Sequence, residues 1–475
     1  MRDDRQNADP LEIAARRARA FLASLPERPI APAADAPALR ARLATALPDG
    51  PSAPAAVIAE LAEALEPGLL ASAAPRFFGW VIGGTLPAAI AADWLTSAWD
   101  QNGAAYALSP AAAVAEEVAG AWLKEIFGLP AEASFALVSG CQMAHVTALA
   151  AARHHLLAAR GIDVERTGLH EAPRFRILLA ETRHESLLRA IRLLGFGLDS
   201  ITLLRCSEAG SLEPAALAEA LAEDGRPSIL CLQAGELNTG AFDPFIPAIA
   251  LARAAGAWVH VDGAFGLWAG ASGRFRPLLA GVEGADSWAC DGHKWLNLPQ
   301  DCGFAFTAHP ASHRAAFAQT TGYALLAEDT RRALDWNPEW SRRARAFVVL
   351  AALRSLGRRG LAGLVEQSCT ACARLATGIA ALPGAALVAA PIINQALVRF
   401  RDPAGRDDDA RTEAVAAAVR EEGEAWFGTA LWRGRRVMRI SVVNWRTDLV
   451  QAERAVAAVA RALARLDRGA AREPG

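Results

Sequence analysis

Among the 49 basic residues of this 475-residue chain there are two lysines, Lys124 and Lys294, and the second stands in the stretch WACDGHKWLNLPQDCG. A lysine amine can lose its proton and act as a nucleophile; a guanidinium stays charged and cannot. Lys124, in AWLKEIFGLP, reads as an ordinary surface lysine, whereas Lys294 follows the apolar run SWACD and sits beside Asp291 and His293. In AWVHVDGAFG, strand alternation puts Trp258, His260 and Asp262 on one face and Val259 and Val261 on the other. A carboxylate that ends an apolar strand beside small residues such as Ala264 needs a cationic partner. Ser139, Gly140, Cys141 and Gln142 form a small-residue turn opening into an alanine-rich helix. The free N–H groups and positive dipole end of such a helix suit a phosphate. His184, in ETRHESLLRAIRLLG, lies just before a helix, where a histidine caps or packs as readily as it binds.

These groups converge if each closes a strand of one sheet, because ligands of α/β sheets gather beyond the carboxyl ends of the strands. Short β-prone runs do alternate with helical ones: FALV, FRILLA, SITLL, SILCLQA, AWVHVD, SWACD and GFAFT. That pattern predicts a layered α/β domain. Asp262 and Lys294 are 32 residues apart, about one strand, crossover and strand, and so can face a common crevice from neighbouring strands. Helical stretches at 11–23 and 54–65 precede this region, within an alanine- and proline-rich segment that has little core of its own and must lie against something else. A long helical stretch at 341–382 follows it, and then QALVRF and RVMRISVV enclose a helix near 408–423, which reads as a smaller α+β unit.

The formal net charge of −2, with acids and bases interspersed, gives no nucleic-acid face and no polybasic membrane patch. No apolar run has the length of a membrane span, and the N-terminus lacks a signal peptide's apolar core, so a soluble cytoplasmic protein is expected. Seven scattered cysteines fit reduced thiols. The C-x-x-C pair Cys369 and Cys372 lies in a helical pattern with no second pair and no nearby histidine, so no metal site is expected.

HVDGAFG and DGHKW, in this order and spacing, with RHES, NTGAFDP and PQDCG in support, resemble the group II pyridoxal-phosphate-dependent decarboxylases, relatives of aromatic-amino-acid and glutamate decarboxylases. The resemblance runs from about residue 75 to 360 and more faintly beyond. It implies the type I pyridoxal-phosphate (aspartate-aminotransferase-like) fold, with a helical N-terminal segment (1–80) on a dimer partner, a large α/β cofactor domain (81–345) and a small α+β domain (346–475). It implies a homodimer with shared active sites, binding neither nucleic acid nor membrane, that decarboxylates an L-amino acid. Lys294 would form a Schiff base with pyridoxal 5'-phosphate, and Asp262 would keep the pyridine nitrogen protonated so that the ring accepts electrons in a quinonoid intermediate. His184 would stack on the ring and Ala264 would let its other face approach. Gly140, Cys141 and Gln142 would hold the phosphate, assisted by Asp291 or His293, with more of the load on His293 because Asp291 is an anion. Trp80, Val81, Asn102 and Ala104 fall where relatives line the substrate pocket.

The chain departs from the family pattern in several places. The phosphate turn reads SGCQMAH, Glu236 and Leu237 stand where aromatic-type relatives carry threonines, and Ala333 stands where they place a proton-donating tyrosine. Of the two tyrosines, Tyr106 and Tyr323, the latter can reach the site from farther up the loop; otherwise His184 or Lys294 delivers the proton. Slow protonation would open a path to oxidative deamination, so an aldehyde synthase or a carbon–carbon lyase on the same scaffold is the alternative, and an inactive cofactor-binding dimer a third.

Overall fold

The computed structural model describes residues 9–222, 225–319 and 330–470. Among them the larger sheet has seven strands: β1 (Ser134–Val138), β2 (Arg176–Ala180), β3 (Ile201–Leu204), β4 (Ser228–Gln233), β5 (Trp258–Asp262), β6 (Ser287–Asp291) and β7 (Gly303–Thr307). Their spatial order is β1-β7-β6-β5-β4-β2-β3, parallel from β6 through β3, with β7 antiparallel to both of its neighbours. Each run singled out as β-prone forms one of these strands. Every residue of β5 and β6 is buried, as expected of strands covered on both faces. The alternation in β5 holds: Val259 and Val261 enter the main core, while Trp258 joins a second cluster on the opposite face.

Prolines set the starts of the first five helices, α1 (Pro10–Ser24), α2 (Ala36–Leu43), α3 (Pro54–Leu65), α4 (Pro87–Trp99) and α5 (Pro110–Phe127). The fixed φ of proline is already helical, and the N–H it lacks is one a first turn leaves unpaired. The next helix, α6 (Cys141–Ala158), has no side-chain cap; it begins on extended Gly140 directly after β1. The helix Ala346–Ala380 breaks at Gly357, where φ of 60° favours glycine.

A four-stranded antiparallel sheet, ordered β10-β11-β9-β8, is built from β8 (Ala385–Ala389), β9 (Gln395–Phe400), β10 (Gly428–Trp432) and β11 (Arg435–Ser441). Helices Asp408–Glu422 and Leu449–Ala470 close its core. Sequence reading missed β8 and β10: AALVA carries a helix-forming composition, and β10 owes its extended form to pairing with β11. The N-terminal segment rests partly on the connection between the helix Asp408–Glu422 and β10 of its own chain. Ile30 N–H donates to Gly423 O, Phe78 N–H to Trp426 O, and Arg76 Nε to Glu424 O. Among the described residues no helix is long and apolar enough to cross a membrane.

Candidate active site

Because β5 and β6 pair in parallel, with Asp262 opposite Ala289, the residues that follow each strand emerge at one mouth. Lys294 stands three residues past β6, its Nζ 3.2 Å from Asp291 Oδ2. Burial opposes its charge, but Asp291 first and Asp262 with it outweigh burial and hold the amine above its ordinary range. Lys124 is engaged elsewhere, donating to the carbonyls of Ala131 and Ala133.

Asp262 is 8 % exposed. Its Oδ1 accepts the Ala264 N–H at 3.1 Å, and His145 Nε2 lies 3.5 Å from its Oδ2. Burial pushes this carboxyl up, yet His145, then His184 and Lys294, hold it well below the usual carboxylate range. It therefore stays an anion in a largely dry setting, within the influence of three cationic or N–H-bearing groups. Cys141, His145 and Asp262 present ligand atoms within 4.8 Å of one another, a grouping that sequence reading did not find and that could hold a metal ion. The Cys141 thiol is pushed far up by burial and the neighbouring carboxylates, so it is a protonated neighbour rather than a thiolate ligand.

At the phosphate-type turn, Cys141 N–H donates to Asp291 Oδ1 at 2.6 Å, and Gln142 follows in the first turn of α6. His293 Nδ1 is 2.9 Å from Cys302 O and 3.7 Å from Asp291 Oδ1. A Cβ on Gly140 would stand 3.4 Å from the His293 ring, and one on Gly303 only 2.5 Å from the Gly140 backbone. Turn, Asp291 and His293 thus meet at one point. Asp291 caps the helix start with its own negative charge and faces Lys294 with its other oxygen.

His184 caps the helix Glu185–Leu193, its Nδ1 accepting the Ser186 N–H at 3.1 Å. The protein packed on one side of its ring lowers its pKa; Asp262 pulls the other way, and Lys294 and His145 add to the lowering. Capping and proximity to the site therefore coexist. Trp80 is exposed and stacks on Phe77, while Val81 is buried. Their segment continues beneath Lys294, where a Cβ on Gly83 would lie 2.2 Å from the Lys294 carbonyl oxygen. Asn102 Oδ1 accepts the N–H groups of Ala104 and Arg342, and Ala104 is buried with Ala105 and Leu334. Among the described residues, no hydrogen bond or ion pair links Asn102 or Ala104 to Lys294. Tyr323 lies outside the described residues; Ala333 is buried in a short 3₁₀ turn.

Residues 37–402 match the model of the pyridoxal-dependent decarboxylase conserved domain. The chain belongs to this decarboxylase family. It is 31 % identical over 370 residues to an L-2,4-diaminobutyrate decarboxylase of Rhizobium meliloti, covering 76 % of this chain and 72 % of that one. To a phenylacetaldehyde synthase of Petunia hybrida it is 28 % identical over 313 residues, 63 % of this chain and 61 % of the relative. The crystal structure of Oryza sativa TDC with PLP and tryptamine superposes with a TM-score of 0.90 at 23 % identity, over 96 % of this chain and 97 % of that one, and so has the same fold.

The donor set of this decarboxylase fits pyridoxal phosphate: an amine for an aldehyde, a buried anion for a ring nitrogen, and a helix start with His293 for a phosphate. Sequence reading missed Asn297, which binds three segments together. Its Oδ1 accepts the N–H groups of Gly84 and Trp445, and its Nδ2 donates to Val443 O. It also missed Arg439, buried on β11, whose Nη2 donates to Leu237 O while its Nε has no partner. A period-2 reading of RVMRISVV that flagged its inward-facing arginine would have found the second; no local signal marks the first.

Proposed function

We propose that this decarboxylase releases carbon dioxide and an amine from an L-amino acid, with Lys294 as the covalent anchor and Asp262 as the electrostatic partner of the cofactor ring. The observation that carries this reading is the meeting of a half-buried amine and a buried carboxylate, held anionic, at the ends of two adjacent parallel strands. Bound pyridoxal phosphate supplies an aldehyde for the amine and a ring that takes up the electrons released as a carboxylate leaves. Asp262 favours the protonated ring nitrogen by charge. Gly140 and Gln142 would offer backbone N–H groups to a phosphate, with His293 beside them and Cys141 joining once its N–H leaves Asp291, and His184 and Ala264 would bound the ring's two faces. Trp80, Val81, Asn102 and Ala104 would line the side-chain pocket. Lys294 Nζ would be the group that returns a proton to the substrate carbon, in the place of the tyrosine that Ala333 does not supply.

Exposed Leu11, Leu47, Val57 and Leu61 in and around α1–α3, and exposed Trp94, Leu95 and Trp99 on α4, support a homodimer. The seven buried, unpaired thiols support a reducing, cytoplasmic setting. An aldehyde-forming oxidative reaction is the second reading, favoured by Ala333 and by the likeness to a phenylacetaldehyde synthase. A panel of amino acids screened for carbon dioxide release, with oxygen uptake followed alongside, tests both. Release without oxygen uptake supports the decarboxylase, equimolar uptake supports the aldehyde synthase, and no release from any amino acid overturns both.

A further inference from the structure

Behind Asp262 runs a line of buried polar groups that the reaction outlined above does not use. Trp258 Nε1–H donates to Ser287 Oγ at 2.9 Å, and Ser287 Oγ is 2.9 Å from His260 Nδ1. His260 Nε2 is 2.9 Å from His145 Nδ1, and His145 Nε2 lies 3.5 Å from both Asp262 Oδ2 and Cys141 Sγ. Both histidines and Ser287 are fully buried, and Trp258 nearly so.

An ionised carboxylate only accepts and an indole nitrogen only donates, and with neutral rings between them these two ends fix the direction of the line. Ser287 accepts from Trp258 and turns its own hydrogen to His260 Nδ1. His260 then carries its proton on Nε2 and donates to His145 Nδ1, which leaves the His145 proton on Nε2, turned toward Asp262. Both rings are neutral in this arrangement, in keeping with the burial that pulls the His260 pKa down to about 3. Reversing any one link would set two donors or two acceptors face to face in a dry core.

We propose that Trp258, Ser287, His260 and His145 form a one-way donor chain ending on Asp262, which steadies its carboxylate as an anion and thereby sets how firmly Asp262 holds a protonated ring nitrogen. All four are positioning residues. The second half of the proposal rests on the assignment of Asp262 to the cofactor ring; the first half does not.

The test has two arms. In apo-protein labelled with ¹⁵N-histidine, nitrogen shifts report the tautomers, and His145 and His260 are expected as neutral Nε2–H rings, with Ser287→Ala allowing His260 to populate the Nδ1–H form. Either ring found as Nδ1–H or as a cation in the unsubstituted protein overturns the chain. In holoprotein carrying a ¹⁵N-labelled pyridine ring, His145→Leu is expected to move the ring nitrogen toward its unprotonated shift and to weaken cofactor retention about tenfold, with His145→Gln, which keeps a donor, recovering most of both. A His145→Leu protein with unchanged ring shift and retention overturns the coupling, and if that variant does not fold, Ser287→Ala read the same way decides. An unprotonated ring in the unsubstituted holoprotein would instead defeat the Asp262 assignment while leaving the tautomer result to judge the chain.

Discussion

Gly83 offers the sharpest steric test of how Lys294 is held. A Cβ at this position would stand 2.2 Å from the Lys294 carbonyl oxygen and 3.2 Å from the Asn297 side chain, roughly 1 Å inside contact with the former. The neighbour that must yield is backbone, and it is pinned: Asn297 N–H donates to Lys294 O, and Asn297 Oδ1 holds Gly84 N–H at 2.8 Å. Gly83→Ala therefore costs about 1–3 kcal/mol of overpacking strain, and relief comes by sliding either segment by roughly 1 Å. A shift of that size at a reacting group lowers turnover by about 100-fold. Thermal unfolding and steady-state carbon dioxide release check both effects, with Gly363→Ala as the control. Gly363 lies in the helix Ala346–Ala380 with nothing near its Cβ, so alanine there stabilises by about 0.5–1 kcal/mol. A Gly83→Ala enzyme with unchanged melting temperature and turnover would refute the packing of this segment against the lysine turn.

Asp291→Asn keeps an oxygen for the Cys141 N–H but removes the charge that raises the Lys294 pKa. More free amine at pH 8 then speeds reconstitution of apo-protein with pyridoxal phosphate; slower reconstitution would make Asp291 a cofactor ligand instead. His313 is buried between Ser134 Oγ and Trp336 O, and burial, with Arg331 adding, lowers its pKa to about 3. It is neutral when folded but takes a proton near pH 6.5 when unfolded, so its contribution is complete above 6.5 and is lost as pH falls toward 3. The slope is about 1.4 kcal/mol per pH unit, and His313→Gln flattens it in urea unfolding at pH 7, 6 and 5. Equal slopes would contradict this.

The layered sheet was legible because each of its strands is a short apolar run ended by polar or small residues, and because the alternation in AWVHVD is strict enough to assign faces. The facing of Asp262 and Lys294 followed from strand spacing alone. His145 was not legible: its partner His260 is 115 residues away, and a histidine in an alanine-rich helix carries no local mark of what it faces. Asn297 escaped for the same reason, since its partners Gly84, Val443 and Trp445 are far from it in the chain; Arg439 was marked by the alternation of RVMRISVV and was missed only because that alternation was not read. The N-terminal segment reads as having little core of its own; Leu25, Ile30, Ala71, Ala74 and Phe77 form a small cluster there, packed with Trp426 of the same chain. α2 escaped because APALRARL lacks a clear apolar stripe.

Which amine holds the cofactor decides the chemistry of the site, and this chain offers two lysines. Borohydride reduction of the holoprotein, followed by digestion and peptide mapping, is expected to place the reduced pyridoxyl group on Lys294, within WACDGHKWLNLPQDCG. Its recovery on Lys124, or the absence of any adduct in a preparation that retains the cofactor, would contradict the account.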